Sequence, residues 1–313
     1  MSEKRNDCVR NSISFDLEHW HTATLLVDEV RDPIDRIVES TEIVLDLLDR
    51  HDVAATFFVV GDVADEYPWL INRIHELGHE IGSHGQTHRP LFDLSPSEFE
   101  RELAESGAAI ESVTGEFPMG VRLPNFSLTR RTQWGFEVLA RSEYRYDSSV
   151  FPVKTPMYGV PGGPLRPYRV HPGRPFDSSA AVGSQRELLV ESPLAVTNTM
   201  LRLPIGGGFY ARVTPIRLFE WAVSRLNESS IPANLYFHPW EFNPSVPVSE
   251  PKFHKRAVSF AGIERLADKV ERLLTTFEFG PVSELIRAEL GQDVFDEPRP
   301  RTNHEVSKGT SHH

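Results

Sequence analysis

Apolar and polar positions follow two different periods along the first half of the chain. In "SISFDLE" (residues 12–18) apolar and polar residues alternate, and "VAATFFVVG" (53–61) is a short apolar run that ends in glycine. Both patterns are typical of strands, the second of a buried one. Between them, Ile37, Val44 and Leu48 recur at helical spacing. The alternation of strand and helix predicts an α/β fold whose parallel sheet could close into a barrel.

Sequence signals also predict where individual helices begin and end. The segment 95–115, "SPSEFERELAESGAAIESVTG", opens with a Ser-x-x-Glu capping box at Ser95 and Glu98 and closes at Gly115. The segment 64–78, "ADEYPWLINRIHELG", predicts one helix that ends at Gly78. Further strands are expected in "HEIGSHG", "MGVRLPNFS" and "YRYDSSV", and a helix in "TRRTQWGFEVLARSE".

The second half is organised differently. Residues 151–212 are rich in proline and glycine, which predicts a loop-rich elaboration. Helices return in 214–229 and 261–277, with the strand "ANLYFHPWEF" between them. We therefore expect a polar N-terminal tail at 1–11, a single catalytic domain at 12–292 and a disordered, largely polar tail at 293–313.

Composition and charge narrow the class of protein. The formal net charge is −12, a surface that repels phosphate backbones and disfavours nucleic acid as a partner. No apolar run is long enough for a membrane span, and the polar start lacks the apolar core of a secretory signal, so we expect a cytoplasmic protein. The single cysteine, Cys8, excludes an internal disulfide and a cysteine-built metal site, and the sequence leaves the oligomeric state open.

The stretch "EIGSHGQTHRP" contains the first candidate metal ligands. His84 and His88 are four residues apart, a spacing that also occurs on plain helix surfaces. The flanking glycines argue against a long helix, and Gly85 stands where zinc peptidases have a glutamate. Together with Glu18, the pair would supply two imidazoles and one carboxylate, a set that suits zinc, cobalt, nickel or iron(II).

Other reactive side chains also follow predicted strands. Asp16 and Glu18 are two apart, so they face the same side of the first strand. Arg122, Asp147 and His238 each stand at the end of a later strand. Because the carboxyl ends of parallel strands meet at one face, these side chains are expected to converge there. His19 and His21, close by, are interpreted as incidental.

Taken in order, these segments resemble the polysaccharide deacetylases of the NodB-homology type (carbohydrate esterase family 4). The resemblance runs from about Ile13 to Trp240 and rests on "SFDLE", "SHGQTH", "RLPNFS", "YDSSVFP" and "YFHPWEF". The stretches "LRLPIGGGFYARVTP" and "HPWEF" also resemble a branch with an added C-terminal region, associated with exopolysaccharide synthesis. The usual T-F-D-D opening is S-F-D-L-E in this chain, so its second acid is displaced to Glu18.

The resemblance implies a distorted (β/α) barrel, a divalent metal and removal of an N-acetyl group from a sugar. Residue by residue, it implies the following roles: Asp16 as general base, Arg122 as its partner, His238 as general acid, and Glu18, His84 and His88 as metal ligands. Among nearby aromatic residues, Trp240, Tyr210 and Phe151 are the candidates for contact with the sugar. Two alternatives stay open: a catalytically silent carbohydrate-binding protein, and a hydrolase of a non-sugar amide such as a cyclic amide or formamide.

Overall fold

The computed structural model describes residues 9–27, 29–155, 158–171, 173–180, 189–248 and 251–296. Cys8 and most of both predicted tails lie outside these ranges. The strands are β1 Asn11–Leu17, β2 Thr56–Val59, β3 Glu80–Ser83, β4 Gly120–Val121, β5 Tyr146–Asp147, β6 Tyr168–Arg169, β7 Val190–Glu191, β8 Asn234–Phe237 and β9 Phe279–Gly280. The helices are α1 Ile37–Arg50, α2 Gly61–Glu66, α3 Pro68–Glu76, α4 Pro96–Thr114, α5 Gly135–Arg141, α6 Gly208–Val213, α7 Ile216–Glu228, α8 Phe253–Phe260, α9 Leu266–Thr276 and α10 Val282–Leu290.

The strands form one curled sheet in the order β6-β7-β5-β4-β3-β2-β1-β8, and β9 also pairs with β1. Every pairing is parallel except the one between β6 and β7. After β7, Ser192 O accepts a hydrogen bond from Asn234 Nδ2 on β8 at 3.0 Å, so the two ends of the sheet approach each other. The distorted (β/α) barrel expected from the sequence is confirmed.

Strand β1 pairs with more strands than any other in the described sheet. All its residues are buried, and it pairs with β2, β8 and β9. Phe15 stacks on Phe57 of β2 at 5.1 Å and contacts Phe237 of β8 at 6.1 Å. Apolar packing therefore fixes one face of β1, and Asp16 lies on the opposite face.

Helix boundaries agree with the sequence in one case and differ in another. The capping box of α4 is present, with Ser95 and Glu98 bonded reciprocally, and Gly115 ends the helix at φ 80°. The single helix expected at 64–78 is instead two, α2 and α3, separated at Tyr67. Pro68 explains the break, because proline disfavours a helical conformation in the residue before it and starts a helix well.

The C-terminal boundary lies later than expected. Val294 and Phe295 are 3% and 8% exposed, and Phe295 lies 6.1 Å from the ring of Tyr146. The folded part therefore extends beyond residue 292, and disorder of the remaining tail stays a prediction outside the described residues. Within the described ranges, every helix is too short or too polar to cross a membrane.

Candidate metal and catalytic site

The carboxyl ends of four strands bring the candidate residues together. Asp16 is on β1 and Glu18 directly follows it, His84 follows β3, Arg122 follows β4 and His238 follows β8. All of these except Arg122 line a pocket of about 320 Å³, and Arg122 lies fully buried beneath it. The convergence expected from the strand-end positions is therefore present in the structure.

Glu18, His84 and His88 form a cluster that fits a metal ion. One potential ligand atom from each lies within 4.8 Å of the others. Glu18 Oε2 lies 2.6 Å from His88 Nε2 and is buried, yet this oxygen has no aligned hydrogen-bond donor. A buried carboxylate oxygen without a donor is costly, and a cation shared with two imidazoles would compensate it. The donor set suits a divalent transition metal.

The charge state of Glu18 also fits a metal ligand. Burial is the largest single influence and opposes ionisation of Glu18, but the charge and close contact of His88, together with His238 and His84, lower the pKa of Glu18 to about 2. Burial also opposes protonation of His88, but the charge and close contact of Glu18, with the charge of Asp16, together raise the pKa of His88. Glu18 is thus anionic at neutral pH, as a metal ligand must be.

His84 is oriented for ligation by a backbone group. Its Nδ1 lies 2.7 Å from the carbonyl oxygen of Arg122, which can only accept, so the proton is on Nδ1 and the lone pair on Nε2. Burial lowers the pKa of His84 to about 4, so the ring is neutral near pH 7. A neutral imidazole with a free Nε2 is the form that binds a metal.

The loop between the two histidines is held by Glu102, a residue that the sequence did not single out. This carboxylate on α4 accepts from the backbone amides of Gln86 and Thr87, both at 2.9 Å, and from the Thr87 hydroxyl at 2.6 Å. His88 then adopts a φ of 58°, uncommon for a residue other than glycine. A signal was present in the sequence, since Glu102 shares the buried face of α4 with Phe99.

One carboxylate oxygen of Asp16 is hydrogen-bonded to an arginine, and the other faces the pocket. Arg122 Nη1 donates to Asp16 Oδ1 at 2.7 Å, and the same guanidinium is fixed by Ser14 and Ser148. The ring of Phe58 lies 4.2 Å from the guanidinium carbon. The second oxygen, Asp16 Oδ2, lies 3.9 Å from His84 Nε2 and thus faces the metal cluster.

His238 faces the same cluster and is paired with a buried acid. Its Nδ1 lies 3.1 Å from Glu241 Oε2, and its Nε2 lies 3.6 Å from Glu18 Oε1. Burial alone would lower the pKa of His238, but the hydrogen bond to Glu241 and the charge of Glu18 raise it to about 9. Arg212 Nε donates to the other oxygen of Glu241 at 2.9 Å. The sequence reasoning missed both Glu241 and Arg212, although Glu241 stands within the quoted "HPWEF" motif.

Aromatic side chains form the walls of the pocket. Tyr210 and Trp240 line it, together with Phe126, Tyr158 and Tyr236. The Trp240 ring stacks on His238 at 5.3 Å, and its Nε1 is buried without a hydrogen-bond partner. The remaining sugar-contact candidate, Phe151, is 1% exposed and stacks behind Tyr158 at 5.8 Å, so it supports the wall and does not line the pocket.

Other strand-end residues lie away from the pocket. Asp147 is fully buried and accepts a hydrogen bond from Ser149, and it pairs in register with Glu191 on β7. Burial raises the pKa of both Asp147 and Glu191, Glu191 the more strongly because Asp147 lies beside it. His19 instead contacts Glu66 at 3.2 Å, outside the pocket.

A curled, mostly parallel sheet with this cluster of carboxylates and imidazoles at its carboxyl edge has the architecture of a deacetylase-type α/β barrel. Residues 21–146 match the family described as Polysaccharide deacetylase, and residues 148–287 match Domain of unknown function (DUF3473). The chain therefore contains a polysaccharide deacetylase domain followed by this C-terminal segment, in agreement with the resemblance in its motifs. His84, His88 and Arg122 fall in the first match and His238 in the second, so both segments contribute to one pocket.

Named relatives cover part of the chain. The peptidoglycan-N-acetylglucosamine deacetylase PgdA of Listeria monocytogenes is 30% identical over 131 residues, which cover 39% of this chain and 28% of that protein. A chitooligosaccharide deacetylase of Rhizobium leguminosarum bv. trifolii is 33% identical over 99 residues, 32% of this chain and 43% of the relative. The chain thus spans less than half the length of these relatives.

A crystal structure extends the likeness in fold to almost the whole chain. A Mycobacterium smegmatis protein classed with the polysaccharide deacetylases superposes with a TM-score of 0.59 and covers 94% of each chain. The sequence identity is 20%, so this likeness concerns the fold alone.

Proposed function

We propose that the protein is a metal-dependent hydrolase that removes the N-acetyl group from an N-acetylated sugar in a polysaccharide or glycan precursor. The observation that carries the proposal is the arrangement of one pocket. Asp16, held by Arg122, and His238, held by Glu241, both face the cluster of Glu18, His84 and His88. The named relatives that act on N-acetylated glycans support the same class of reaction.

The metal would be held by Glu18, His84 and His88, and we propose zinc, with cobalt, nickel or iron(II) as alternatives. A divalent ion in such a site supplies Lewis acidity and lowers the pKa of bound water. The protein's own contribution is to place the anionic carboxylate of Glu18 and the neutral imidazole of His84 around one point, beside His88. His88 would give up its proton when it binds the metal.

Asp16 acts as the general base. Arg122 occupies its Oδ1, which leaves Oδ2 free to accept a proton from the attacking water. The cation also fixes the direction of the carboxylate. Because Arg122 is fully buried and bonded to Ser14 and Ser148 as well, Asp16 is held in place before the substrate arrives.

His238 acts as the general acid. With a pKa of about 9 it is protonated near neutral pH, and its Nε2 is directed into the pocket because Nδ1 bonds to Glu241. It can then donate a proton to the nitrogen that leaves as the sugar amine. Tyr210 and Trp240 on the wall would hold the sugar ring, and Phe151 would support Tyr210 and Tyr158 from behind.

The direct test is acetate release by metal-stripped protein reconstituted with zinc, cobalt, nickel or iron(II). Substrates should include tetra-N-acetylchitotetraose (chitotetraose below), a nucleotide-linked N-acetyl sugar and a lipid-linked one, with hydantoin and a formamide as non-sugar amides. We expect metal-dependent acetate release from at least one sugar and none from His84→Ala. Faster turnover of the non-sugar amides would overturn the sugar assignment. If the wild-type protein releases no acetate and glycan binding survives His84→Ala, a silent binding protein would be favoured.

The sequence-based expectation of a cytoplasmic location stays a prediction. It would suit a nucleotide-linked or lipid-linked precursor better than a finished polymer, and the exopolysaccharide association of the resembling branch is compatible with such a precursor. The three substrate types in the assay above therefore also rank these possibilities.

A further inference from the structure

A second cavity, larger than the catalytic pocket, lies on the other side of α8. It has a volume of about 870 Å³ and is lined by the end of α6, one face of α8 and the start of α9. Val258 and Ser259 of α8 face the catalytic pocket, whereas Phe253 and Arg256 face the second cavity. An α-helix is about 10 Å across with its side chains, so the two spaces are near neighbours.

Arg212 belongs to both walls. Its Nε bonds to Glu241, behind His238, and its Nη1 and Nη2 donate to the carbonyls of Ala261 and Val258 at 2.7 and 3.0 Å. The same residue lines the catalytic pocket and the second cavity. Hydrogen bonds from Arg212 on α6 to the end of α8 therefore form part of the wall between the two spaces.

Several cationic side chains line the second cavity, although the protein as a whole is acidic. Arg256 and Arg265 line it with exposed side chains, and Lys269 lines it more deeply. Lys269 Nζ donates to three carbonyl oxygens, of Ala211, Arg212 and Thr214, at 2.7–2.9 Å. Carbonyl oxygens hold the ammonium group without neutralising its charge. One carboxylate, Glu264, is also on the wall, against a formal net charge of −12 for the whole chain.

Two neighbouring cations and an exposed aromatic ring indicate what kind of ligand the cavity would bind. Burial and the charge of Arg265 lower the pKa of Lys269, so the two cations lie close enough to repel each other. A bound anion would relieve this repulsion. Phe253 is 85% exposed at the same wall, a flat apolar surface of the kind on which sugar rings stack.

We propose that the second cavity binds an anionic group, a carboxylate or a phosphate, carried by the same glycan or precursor whose N-acetylated sugar enters the catalytic pocket. The inference rests on the proposed function, because it assigns the neighbouring part of that substrate. Arg256 and Arg265 bind the anion, and Phe253 contacts the adjoining ring. Because Arg256 and Arg265 line the second cavity and not the catalytic pocket, they select the substrate and take no part in the chemical step.

The test compares three probes by calorimetry with the metal-loaded full chain. Chitotetraose is neutral, a hyaluronan tetrasaccharide alternates uronate with N-acetylglucosamine, and UDP-N-acetylglucosamine carries a diphosphate. We expect one anionic probe to bind at least tenfold more tightly than chitotetraose at low salt, with the preference reduced by added salt. The uronate and diphosphate arms identify which anion is recognised.

Variants tie the preference to the cavity. Arg256→Ala and Arg265→Ala should each weaken the anionic probe about tenfold and leave chitotetraose unchanged, whereas Arg101→Ala, an exposed arginine on α4, should change neither. Equal weakening of neutral and anionic probes, or no charge preference in the wild type, would overturn the inference. Acetate release from chitotetraose, measured in parallel, tests the proposed function separately, because that substrate lacks the anion.

Discussion

The carboxylate of Glu241 accepts hydrogen bonds from both the backbone amide and the ring Nδ1 of His238, at 3.0 and 3.1 Å. This double contact fixes the ring with Nε2 toward the pocket. Arg212 holds the other oxygen of Glu241, so the acid stays ionised although it is buried. Glu241 thereby sets both the orientation of the His238 ring and its protonation.

Replacing Glu241 by glutamine should shift the pH dependence of activity. Glutamine keeps the shape but removes the charge that raises the pKa of His238 to about 9. The protonated imidazole would then be lost at lower pH, so the alkaline limb of kcat against pH should move to lower pH. We also expect kcat to fall about tenfold to a hundredfold at neutral pH. The control is Glu137→Gln, an exposed residue of α5, and an unmoved alkaline limb would contradict the role of Glu241.

Asp16→Asn should separate catalysis from metal binding. The amide oxygen can still accept from Arg122 but cannot take a proton, so kcat should fall about 10²–10⁴-fold. Glu18, His84 and His88 are untouched, so metal content measured by mass spectrometry should stay at the wild-type value. Loss of the charged partner of Arg122 should lower the free energy of unfolding by about 1.5–3 kcal/mol. Asp46→Asn, exposed on α1, is the matched control, and near-normal kcat in Asp16→Asn would exclude the base assignment.

Glu102→Gln should weaken metal binding without touching a ligand. The carboxylate accepts three hydrogen bonds from Gln86 and Thr87, and glutamine can accept fewer, so the loop that carries His88 should loosen. We expect the metal dissociation constant to rise about tenfold to a hundredfold. Glu105→Gln lies on the exposed side of the same helix and should leave it unchanged. Activity restored by excess metal would distinguish this effect from misfolding.

Metal should stabilise the folded protein. A ligand that binds only the native state at a concentration of 100 times its dissociation constant contributes about 2.7 kcal/mol. Adding zinc to stripped protein should therefore raise the melting temperature by several degrees, and His88→Ala should abolish the rise. His254→Ala, on exposed α8, serves as the control histidine. A rise that persists in His88→Ala would show that the stabilising ion binds elsewhere.

The sequence predicted what depends on local pattern. Strand and helix periods predicted the α/β barrel, and the position of Asp16, Glu18 and His84 at strand ends predicted that they converge. The break at Tyr67 was missed because apolar spacing continues across Pro68. Glu102 and Glu241 were missed for a different reason. Their roles depend on which loop or ring lies opposite, and pairing between distant segments is absent from local periodicity.

The buried position of β1 has a consequence for how the molecule assembles. His238 reaches Glu18 only when β1 lies between β2, which is near in sequence, and β8, which begins at Asn234. Pairings of such large sequence separation form slowly, because a long loop must close first. The pocket therefore cannot exist in a nascent chain that has emerged only as far as α7. The proposed ligands Glu18, His84 and His88 all precede β4, whereas His238 comes from the C-terminal segment, so docking of that segment completes the pocket around ligands that have already been synthesised.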